Sequence, residues 1–218
     1  MKIALCFFGQ PRSVATGYAH FKEHLLDVYD VDVHAHLWST GSVVEFVDLY
    51  KPVTLQLNTQ INFKIPNGVY GAHTYGAEPH PDIPAYARCA FNSLSQAYSF
   101  YQVCKSRTMY SQTTNTSYDL VIKARTDTAI YSLDMSAIER DMYNVPNSPG
   151  GFIYNDVIAF CSETIADVVG FKYEKLEQWY LDGVRDFIPE SLNDKVLREN
   201  NIPINPMRDT HINLIGYF

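Results

Sequence analysis

The sequence predicts an α/β fold with a central mixed, mostly parallel sheet flanked by helices. Two observations predict it. Short apolar runs recur along the chain, and segments with helical periodicity separate them. The first run, 3–8, ends in Gly9, Gln10 and Pro11, which is typical of a buried strand that leads into a loop. Residues 31–38 alternate apolar and polar side chains, which is the period-2 pattern of a strand.

The remaining elements follow from the same two periodicities. The predicted strands are 3–8, 31–38, 53–57, 118–124, 151–161, 202–206 and 212–218. The predicted helices are 13 or 16 to 26, 43–50, 86–107, 136–143, 163–180 and 189–200. Segment 58–84 is rich in Gly and Pro and has little periodicity, and 111–117 is polar. We therefore predict a long loop and a linker at these two places.

Length and composition indicate a single globular domain that spans 1–218. A chain of 218 residues can bury a substantial core, and 46% apolar with 19% charged residues is an ordinary globular balance. The net charge of −7 argues against nucleic acid as the main partner. An anionic ligand must therefore meet local positive charge, either a metal or a few placed Arg and Lys residues. The end of the chain directly after the apolar stretch 212–218 would also suit a domain cut from a longer protein.

Cysteine spacing and apolar run lengths predict a cytoplasmic chain without a membrane span. The N-terminal apolar run is too short for a signal peptide, and no later run is long enough to cross a bilayer. The four cysteines are widely spaced and form no CxxC pair, so we interpret them as buried thiols in a reducing compartment. They are Cys6, Cys89, Cys104 and Cys161.

The segment of most chemical interest is 118–128, a mostly apolar strand that runs into Arg125, Thr126 and Asp127. In open α/β sheets, ligands bind outside the carboxyl ends of the strands. Strand alternation places Lys123, Arg125 and Asp127 toward one side, where two cations and a carboxylate could converge. A carboxylate there can bind Mg²⁺ or Mn²⁺, and the metal can bridge a diphosphate. The alternative is a strand-end Asp that forms a turn or caps a helix, and the spacing does not decide between the two.

Two histidines in the second strand give a weaker indication of a metal. His34 and His36 lie two residues apart and share a face of the predicted strand. That spacing suits a metal site, but no cysteine or second histidine pair accompanies it. We therefore interpret both as sheet histidines whose hydrogen bonds are satisfied.

Several short motifs resemble GT-A glycosyltransferases. Lys-Ala-Arg-Thr-Asp at 123–127 resembles their metal-binding motif, in the variant where Arg-x-Asp replaces Asp-x-Asp. Phe-Gly-Gln-Pro-Arg at 8–12, the second strand at 33–38, and Pro189-Glu190 before a helix and 202–204 also resemble this group. The whole chain resembles the small glycosyltransferase domain with which large algal (chlorella) viruses decorate their major capsid protein. It departs from the common motif at Arg125, which occupies the position of the first Asp.

The resemblance implies a GT-A-like, Rossmann-like sheet and a metal-assisted transfer of sugar from a nucleotide-diphosphate sugar. The donor would be a UDP-sugar, the acceptor a glycan or glycoprotein, and the location the host cytoplasm if the protein is viral. Asp127 would hold Mn²⁺ or Mg²⁺, and His211 could complete the metal shell. The donor-binding residues implied are Phe8, Gly9, Gln10, Arg12, Arg88, Asn92, Lys123 and Arg125.

Each of these assignments has a structural alternative. The loop after the first strand could be a plain Gly-Gln-Pro turn, and Arg88 and Asn92 could lie on a solvated helix face. A lone histidine such as His211 is more often structural.

Two carboxylates are candidates for the general base that would deprotonate the acceptor hydroxyl. Asp156 is the first, because it lies between apolar residues in a predicted strand and a charge there needs a partner, a ligand or an active-site edge. Glu190 is the second, although a first-turn Glu also stabilises the helix dipole.

Two other functions stay open. The high tyrosine content and Arg125 would permit a non-catalytic nucleotide- or sugar-binding module. Another phosphate-handling α/β enzyme, such as a nucleotidyltransferase, would favour clustered carboxylates.

Overall fold

The computed structural model describes residues 1–69, 85–147 and 156–216, with only the backbone described for 85–88. Within these ranges a single eight-stranded sheet has the order β3-β2-β1-β4-β7-β6-β8-β5. Only β5 and β7 run against the direction of the other strands. The strands are β1 (Lys2–Gly9), β2 (Asp30–Trp38), β3 (Thr54–Asn58), β4 (Leu120–Ala124), β5 (Thr128–Ser132), β6 (Tyr143–Asn147), β7 (Ile158–Cys161) and β8 (Ile204–Leu214).

Helices cover both faces of this sheet. One face carries α1 and α2, and the other carries the remaining four helices. None of the helices in the described ranges is both long and apolar enough to cross a membrane. The helices are α1 (Val14–Phe21), α2 (Val43–Tyr50), α3 (Ala85–Thr114), α4 (Glu163–Gly170), α5 (Leu176–Leu181) and α6 (Pro189–Glu199). The prediction of a mixed, mostly parallel sheet flanked by helices is confirmed.

The alternation of side chains along β1 divides the core into two clusters. Phe7 faces α1 and α2, and its ring lies 4.9 Å from that of Phe21 and 5.4 Å from that of Phe46, in edge-to-face contacts. Its neighbour Phe8 faces α3, where its ring lies 5.5 Å from that of Phe100. Because successive strand residues point to opposite faces, a fully apolar strand such as β1 can serve both clusters at once.

Four predicted elements differ from the observed ones. The predicted helix 136–143 is wrong: a 3₁₀ turn, Met135–Ala137, is followed by β6, where Tyr143 and Val145 are buried. The predicted linker is partly helical, because α3 continues to Thr114. The predicted helix 163–180 is divided into α4, a 3₁₀ segment Phe171–Lys175, and α5.

The fourth difference concerns the C-terminal strands. The two predicted strands form one strand, β8, which pairs with β6 along its first half and with β5 along its second half. β5 itself was not predicted. Parts of the predicted loop 58–84 and of the predicted strand 151–161 lie outside the described residues.

Candidate functional site

The order of the strands reverses at β1. The chain places β2 and β3 on one side of β1 and then returns through α3 to place β4 on the other side, parallel to β1. In open α/β sheets, ligands bind beyond the carboxyl ends of the strands at the point where the order reverses. The segments that leave β1 and β4 at this point contain several residues selected from the sequence, Gly9, Gln10, Arg12, Arg125 and Asp127.

Hydrogen bonds join the two loops at this point. The main-chain N–H of Arg12 donates to the hydroxyl of Thr126 at 2.9 Å, and that hydroxyl donates to the carbonyl of Arg12 at 3.0 Å. A helix packs directly behind them: a Cβ atom added at Gly17 of α1 would lie 2.0 Å from the carbonyl oxygen of Thr126. The absence of a side chain at Gly17 therefore allows α1 to fix the position of the loop after β4.

Two residues near the end of β1 have a positive φ. Gly9 has a φ of +94°, and Ser13 has a φ of +46°, in the left-handed region. For a serine this conformation costs on the order of 1 kcal/mol or more, and such residues cluster at active sites and ligand clamps. Ser13 nevertheless accepts the hydrogen bond from Gly17 N–H at 2.9 Å that begins α1.

A chain of buried hydrogen bonds fixes Gly9. Its N–H donates to Ser99 Oγ of α3 at 2.7 Å, and the same hydroxyl lies 2.7 Å from His36 Nδ1. His36 Nε2 lies 2.8 Å from Asn58 Oδ1. Burial lowers the pKa of His36, so its ring is neutral near pH 7. In this state Nε2–H donates to Asn58 Oδ1, and the Ser99 hydroxyl has two acceptors within reach, Nδ1 of His36 at 2.7 Å and the carbonyl of His36 at 3.0 Å.

The two sheet histidines are therefore structural. His36 belongs to the chain that holds Gly9, and His34 is hydrogen-bonded to Thr54 Oγ1 at 2.9 Å and Tyr118 Oη at 3.0 Å. Burial lowers the pKa of His34 to about 4, so it too is neutral near pH 7. Their interpretation as satisfied sheet histidines is confirmed.

Arg125 and Asp127 form a bidentate ion pair. Arg125 Nε donates to Asp127 Oδ1 at 2.9 Å, and Nη2 donates to Oδ2 at 2.6 Å. The Asp127 side chain is only 3% exposed, whereas that of Arg125 is 22% exposed. Lys123 takes a different direction: its ammonium lies 5.0 Å from the centre of the Phe8 ring, inside the core. The structure thus brings Arg125 and Asp127 together and buries Lys123.

His211 is not placed to share a metal with Asp127. In the pairing of β5 with β8, Leu214 lies opposite Thr128 and His211 lies opposite Ser132. His211 is therefore roughly 10 Å from Asp127 along the strand direction. Among the described residues, no group of three or more His, Cys, Asp and Glu is placed to hold a metal ion. A metal at Asp127 stays a prediction, and the side chains as arranged do not fit it.

Near this end of the sheet, the α3 face holds both candidate bases. Asp156 Oδ2 accepts a hydrogen bond from Gln96 Nε2 of α3 at 2.8 Å. Glu190 is in the first turn of α6, where burial and the Asp156 carboxylate raise its pKa to about 7. Lys123 interacts electrostatically with both carboxylates, while burial lowers its own pKa. A carboxyl group that titrates near neutral pH is suited to proton transfer.

Lys123 has an unusual environment. Its side chain is 1% exposed, and its ammonium has no hydrogen-bond partner within the described ranges. Phe8 and Phe100 provide ring faces at 5.0 and 5.4 Å, which stabilise a cation only in part. A buried ammonium without a hydrogen-bonded partner is costly, and here the Asp156 and Glu190 carboxylates offset part of that cost electrostatically.

The other residues selected from the sequence are divided between surface and interior. Gln10 and Arg12 are exposed and bonded to each other, with Arg12 Nε donating to Gln10 Oε1 at 2.9 Å. Asn92 is exposed on α3, as the alternative of a solvated helix face suggested, and Phe8 is buried. The side chain of Arg88 lies outside the described residues.

Sequence reasoning missed the residues that hold the site together. These are Gly17, Thr126, Gln96 and Ser99, whose hydroxyl accepts the hydrogen bond from Gly9 N–H. The sequence contained one indication of such a residue, the glycine at position 17 inside a predicted helix. Glycine lowers helix stability, so its presence there indicates close packing against another part of the chain.

Comparisons with known proteins provide no family for the chain. No protein-family model matches it, and a search of curated proteins finds no match. The site is therefore defined by its own geometry: joined loops at the reversal of strand order, an Arg–Asp pair, and two carboxyl groups near a buried ammonium.

Proposed function

We propose that this chain is a glycosyltransferase with a GT-A-like fold that takes its sugar from a nucleotide-diphosphate sugar, a UDP-sugar in particular. The donor would bind where β1 and β4 end, and a glycan or glycoprotein would accept the sugar. The observation that supports this most is the reversal of strand order at β1, with the two adjoining loops hydrogen-bonded to each other. The resemblance described above suggests a viral capsid glycoprotein as the acceptor and the host cytoplasm as the location.

The charges near this position suit an anionic donor. The chain carries a net charge of −7, yet Arg12, Arg125 and Lys123 lie on or behind the two strand ends. Guanidinium groups form bidentate hydrogen bonds with phosphate oxygens, which makes Arg12 and Arg125 the first candidates for contact with the diphosphate. Lys123, behind Phe8, would add positive potential at the departing group.

Glu190 and Asp156 are the candidates for activating the acceptor. The base would take the proton of the acceptor hydroxyl while the oxygen of that hydroxyl forms a bond to the anomeric carbon of the sugar. The bond from that carbon to the diphosphate would break, and its electron pair would leave with the nucleoside diphosphate. Asp156 already accepts a hydrogen bond from Gln96. Glu190, whose pKa is raised to about 7, can change its protonation state near neutral pH.

None of these steps depends on a metal. The resemblance implies Mn²⁺ or Mg²⁺ at Asp127, where the ion would offset charge on the diphosphate. Both oxygens of Asp127 accept hydrogen bonds from Arg125, so an ion would first have to displace that side chain. The residues as arranged therefore do not fit the metal.

The test is donor turnover by the full chain. Each of a panel of UDP-sugars is incubated with the protein, and free UDP is measured against a sample without protein. We expect slow release of UDP from at least one donor, because water can replace the missing acceptor. Glu190→Gln should lose this activity, whereas Glu177→Gln, at an exposed position on α5, should keep it. Absence of both binding and turnover for all nucleotide sugars would refute the proposal.

A non-catalytic binding module is the second candidate function. The pairing of Arg125 with Asp127 favours it, because Asp127 is then less available to hold the ion that would assist departure of the diphosphate. Tight binding of UDP without release from any UDP-sugar, with or without acceptors, would support the module and exclude the enzyme.

A further inference from the structure

The Arg125–Asp127 pair has one buried and one accessible member. Asp127 is almost completely buried, and its main-chain carbonyl accepts a hydrogen bond from Ile215 N–H at 2.9 Å. Arg125 keeps 22% of its side chain exposed. A ligand that approaches the carboxyl end of β4 would therefore meet the guanidinium before it meets the carboxylate.

The backbone around the pair is fixed on several sides. Arg125 N–H donates to the carbonyl of Val157 at 3.0 Å, and Thr128 Oγ1 donates to the carbonyl of Arg125 at 2.8 Å. Between the two residues, Thr126 is bonded to Arg12. Hydrogen bonds at Thr126 and Thr128 hold the loop in place. Asp127 can therefore orient the guanidinium plane from a fixed position.

The charges of the Arg125–Asp127 pair differ from those of a motif with two carboxylates. A motif with two carboxylates has a charge of −2 and reaches neutrality only when a divalent cation binds. Arg125 and Asp127 carry charges of +1 and −1, so the pair that they form has no net charge even without an ion. A guanidinium carries five N–H donors in a fixed plane, and Asp127 accepts from two of its nitrogens.

We propose that the site binds the diphosphate of its donor without a divalent cation, with Arg125 as the anion-binding group and Asp127 as the positioning residue that holds it. This inference rests on the proposed function, since it assumes that a nucleotide-diphosphate ligand binds at the ends of β1 and β4. It adds the group that would donate hydrogen bonds to the diphosphate oxygens. Binding is a sufficient readout, so no acceptor has to be known.

The experiment is a titration of the full chain with UDP by calorimetry, in the presence of EDTA and again with excess Mn²⁺. We expect the two dissociation constants to agree within about twofold, because the neutral Arg–Asp pair leaves no vacant carboxylate for the ion. Arg125→Gln should weaken binding about tenfold or more in both buffers, through loss of a charge-assisted hydrogen bond. Arg140→Gln is the matched control, because Arg140 is 75% exposed and its ion pair with the exposed Asp119 is long, at 3.8 Å.

A second pair of variants separates charge from geometry. Arg125→Lys keeps the positive charge but loses the planar fork, so we expect binding between that of the unchanged chain and that of Arg125→Gln. Arg125→Asp places two carboxylates in the loop, and we expect this variant to bind UDP only when Mn²⁺ is present. If Arg125→Gln does not fold, the comparison of EDTA with Mn²⁺ in the unchanged chain still decides the question.

The outcomes are distinguishable. Binding of UDP that requires Mn²⁺ in the unchanged chain would overturn this inference and leave the proposed function intact. Equal binding by Arg125→Gln and Arg140→Gln would overturn the role of Arg125. Absence of binding by UDP and by every UDP-sugar in both buffers would instead refute the proposed function.

Discussion

Each end of the sheet has a buried cation, and the two cations differ in their partners. Near the amino ends of the strands, Arg107 of α3 is fully buried and forms ion pairs with Asp167 and with Glu163, the latter at 3.6 Å. Near the carboxyl ends, Lys123 is equally buried, but its ammonium has no hydrogen-bond partner within the described ranges. Arg107 thus has ion-pair partners, although its Nε and Nη1 have no hydrogen bond within the described ranges, whereas Lys123 interacts with Asp156 and Glu190 without forming an ion pair or a hydrogen bond there.

The surroundings of the two cations extend this contrast. At the amino ends, Tyr118 joins His34 at 3.0 Å and Asp32 at 2.9 Å, and Lys2 lies 3.1 Å from Asp32. At the carboxyl ends, burial and Asp156 raise the pKa of Glu190 to about 7, and the Lys123 ammonium has no hydrogen-bond partner within the described ranges. We infer that the ion pairs at the amino end stabilise the fold, while the buried ammonium and this carboxyl group at the other end are features that a ligand would offset.

The largest expected effect is at the amino end. Arg107→Met should lower the free energy of unfolding by about 3–5 kcal/mol, because it leaves the half-buried Asp167 and Glu163 without their cation. Urea denaturation measures this, with Arg140→Gln as the exposed control that should change stability by less than about 0.5 kcal/mol. A loss below about 1 kcal/mol for Arg107→Met would contradict the stabilising role of this end.

The next effect links the fold to the site. Gly17→Ala should cost about 1–3 kcal/mol and weaken UDP binding, since its Cβ would lie 2.0 Å from the Thr126 carbonyl oxygen and displace the loop. Gly41→Ala is the control, because a Cβ there meets no atom within 4 Å. If Gly17→Ala binds UDP as the unchanged chain does, the loop does not depend on α1.

Removal of the buried ammonium should not lower the free energy of unfolding, in contrast to the two previous variants. Lys123→Met should leave stability unchanged or raise it by about 1 kcal/mol, because it removes a desolvated charge whose carboxylate neighbours do not hydrogen-bond to it. The same variant should bind UDP more weakly. Thermal unfolding and calorimetry measure the two properties, and a loss of more than about 2 kcal/mol would show that Lys123 belongs to the stabilising network.

The smallest expected effect is on the pH dependence of stability. Burial and the neighbouring Asp156 raise the pKa of Glu190 from 4.5 to about 7, with Asp186 acting in the same direction and Lys123 against it. The folded state therefore holds this proton more tightly than the unfolded state, and the associated stability is lost as pH rises from about 5 to 7. The melting temperature should decline less over this interval in Glu190→Gln than in the unchanged chain. Equal slopes would contradict the raised pKa.

Local patterns were sufficient to predict much of the fold. The continuous apolar run of β1 and the amphipathic stripe of α2 lie within a residue or so of the predicted bounds. The predicted helix 136–143 was wrong: most of it is turn, and its last residue begins β6, which pairs with β8 about 60 positions further along the chain. Single-sequence periodicity does not contain that distant partner.

The candidate site shows the same division. The loops at the ends of β1 and β4 were predicted, since strand ends in such sheets meet at one edge. The bond between Arg12 and Thr126 was not, because it joins residues 114 positions apart. Alternation placed Lys123 and Arg125 on one side, but β4 ends at Ala124, and beyond it a turn pairs Arg125 with Asp127.

A crystal structure of the full chain with bound UDP tests the central claim most directly. We expect the diphosphate to lie within hydrogen-bond distance of Arg125 or Arg12, beyond the ends of β1 and β4. A nucleotide bound elsewhere, for example in the groove lined by Asp167, Phe171 and Asn200, would contradict it.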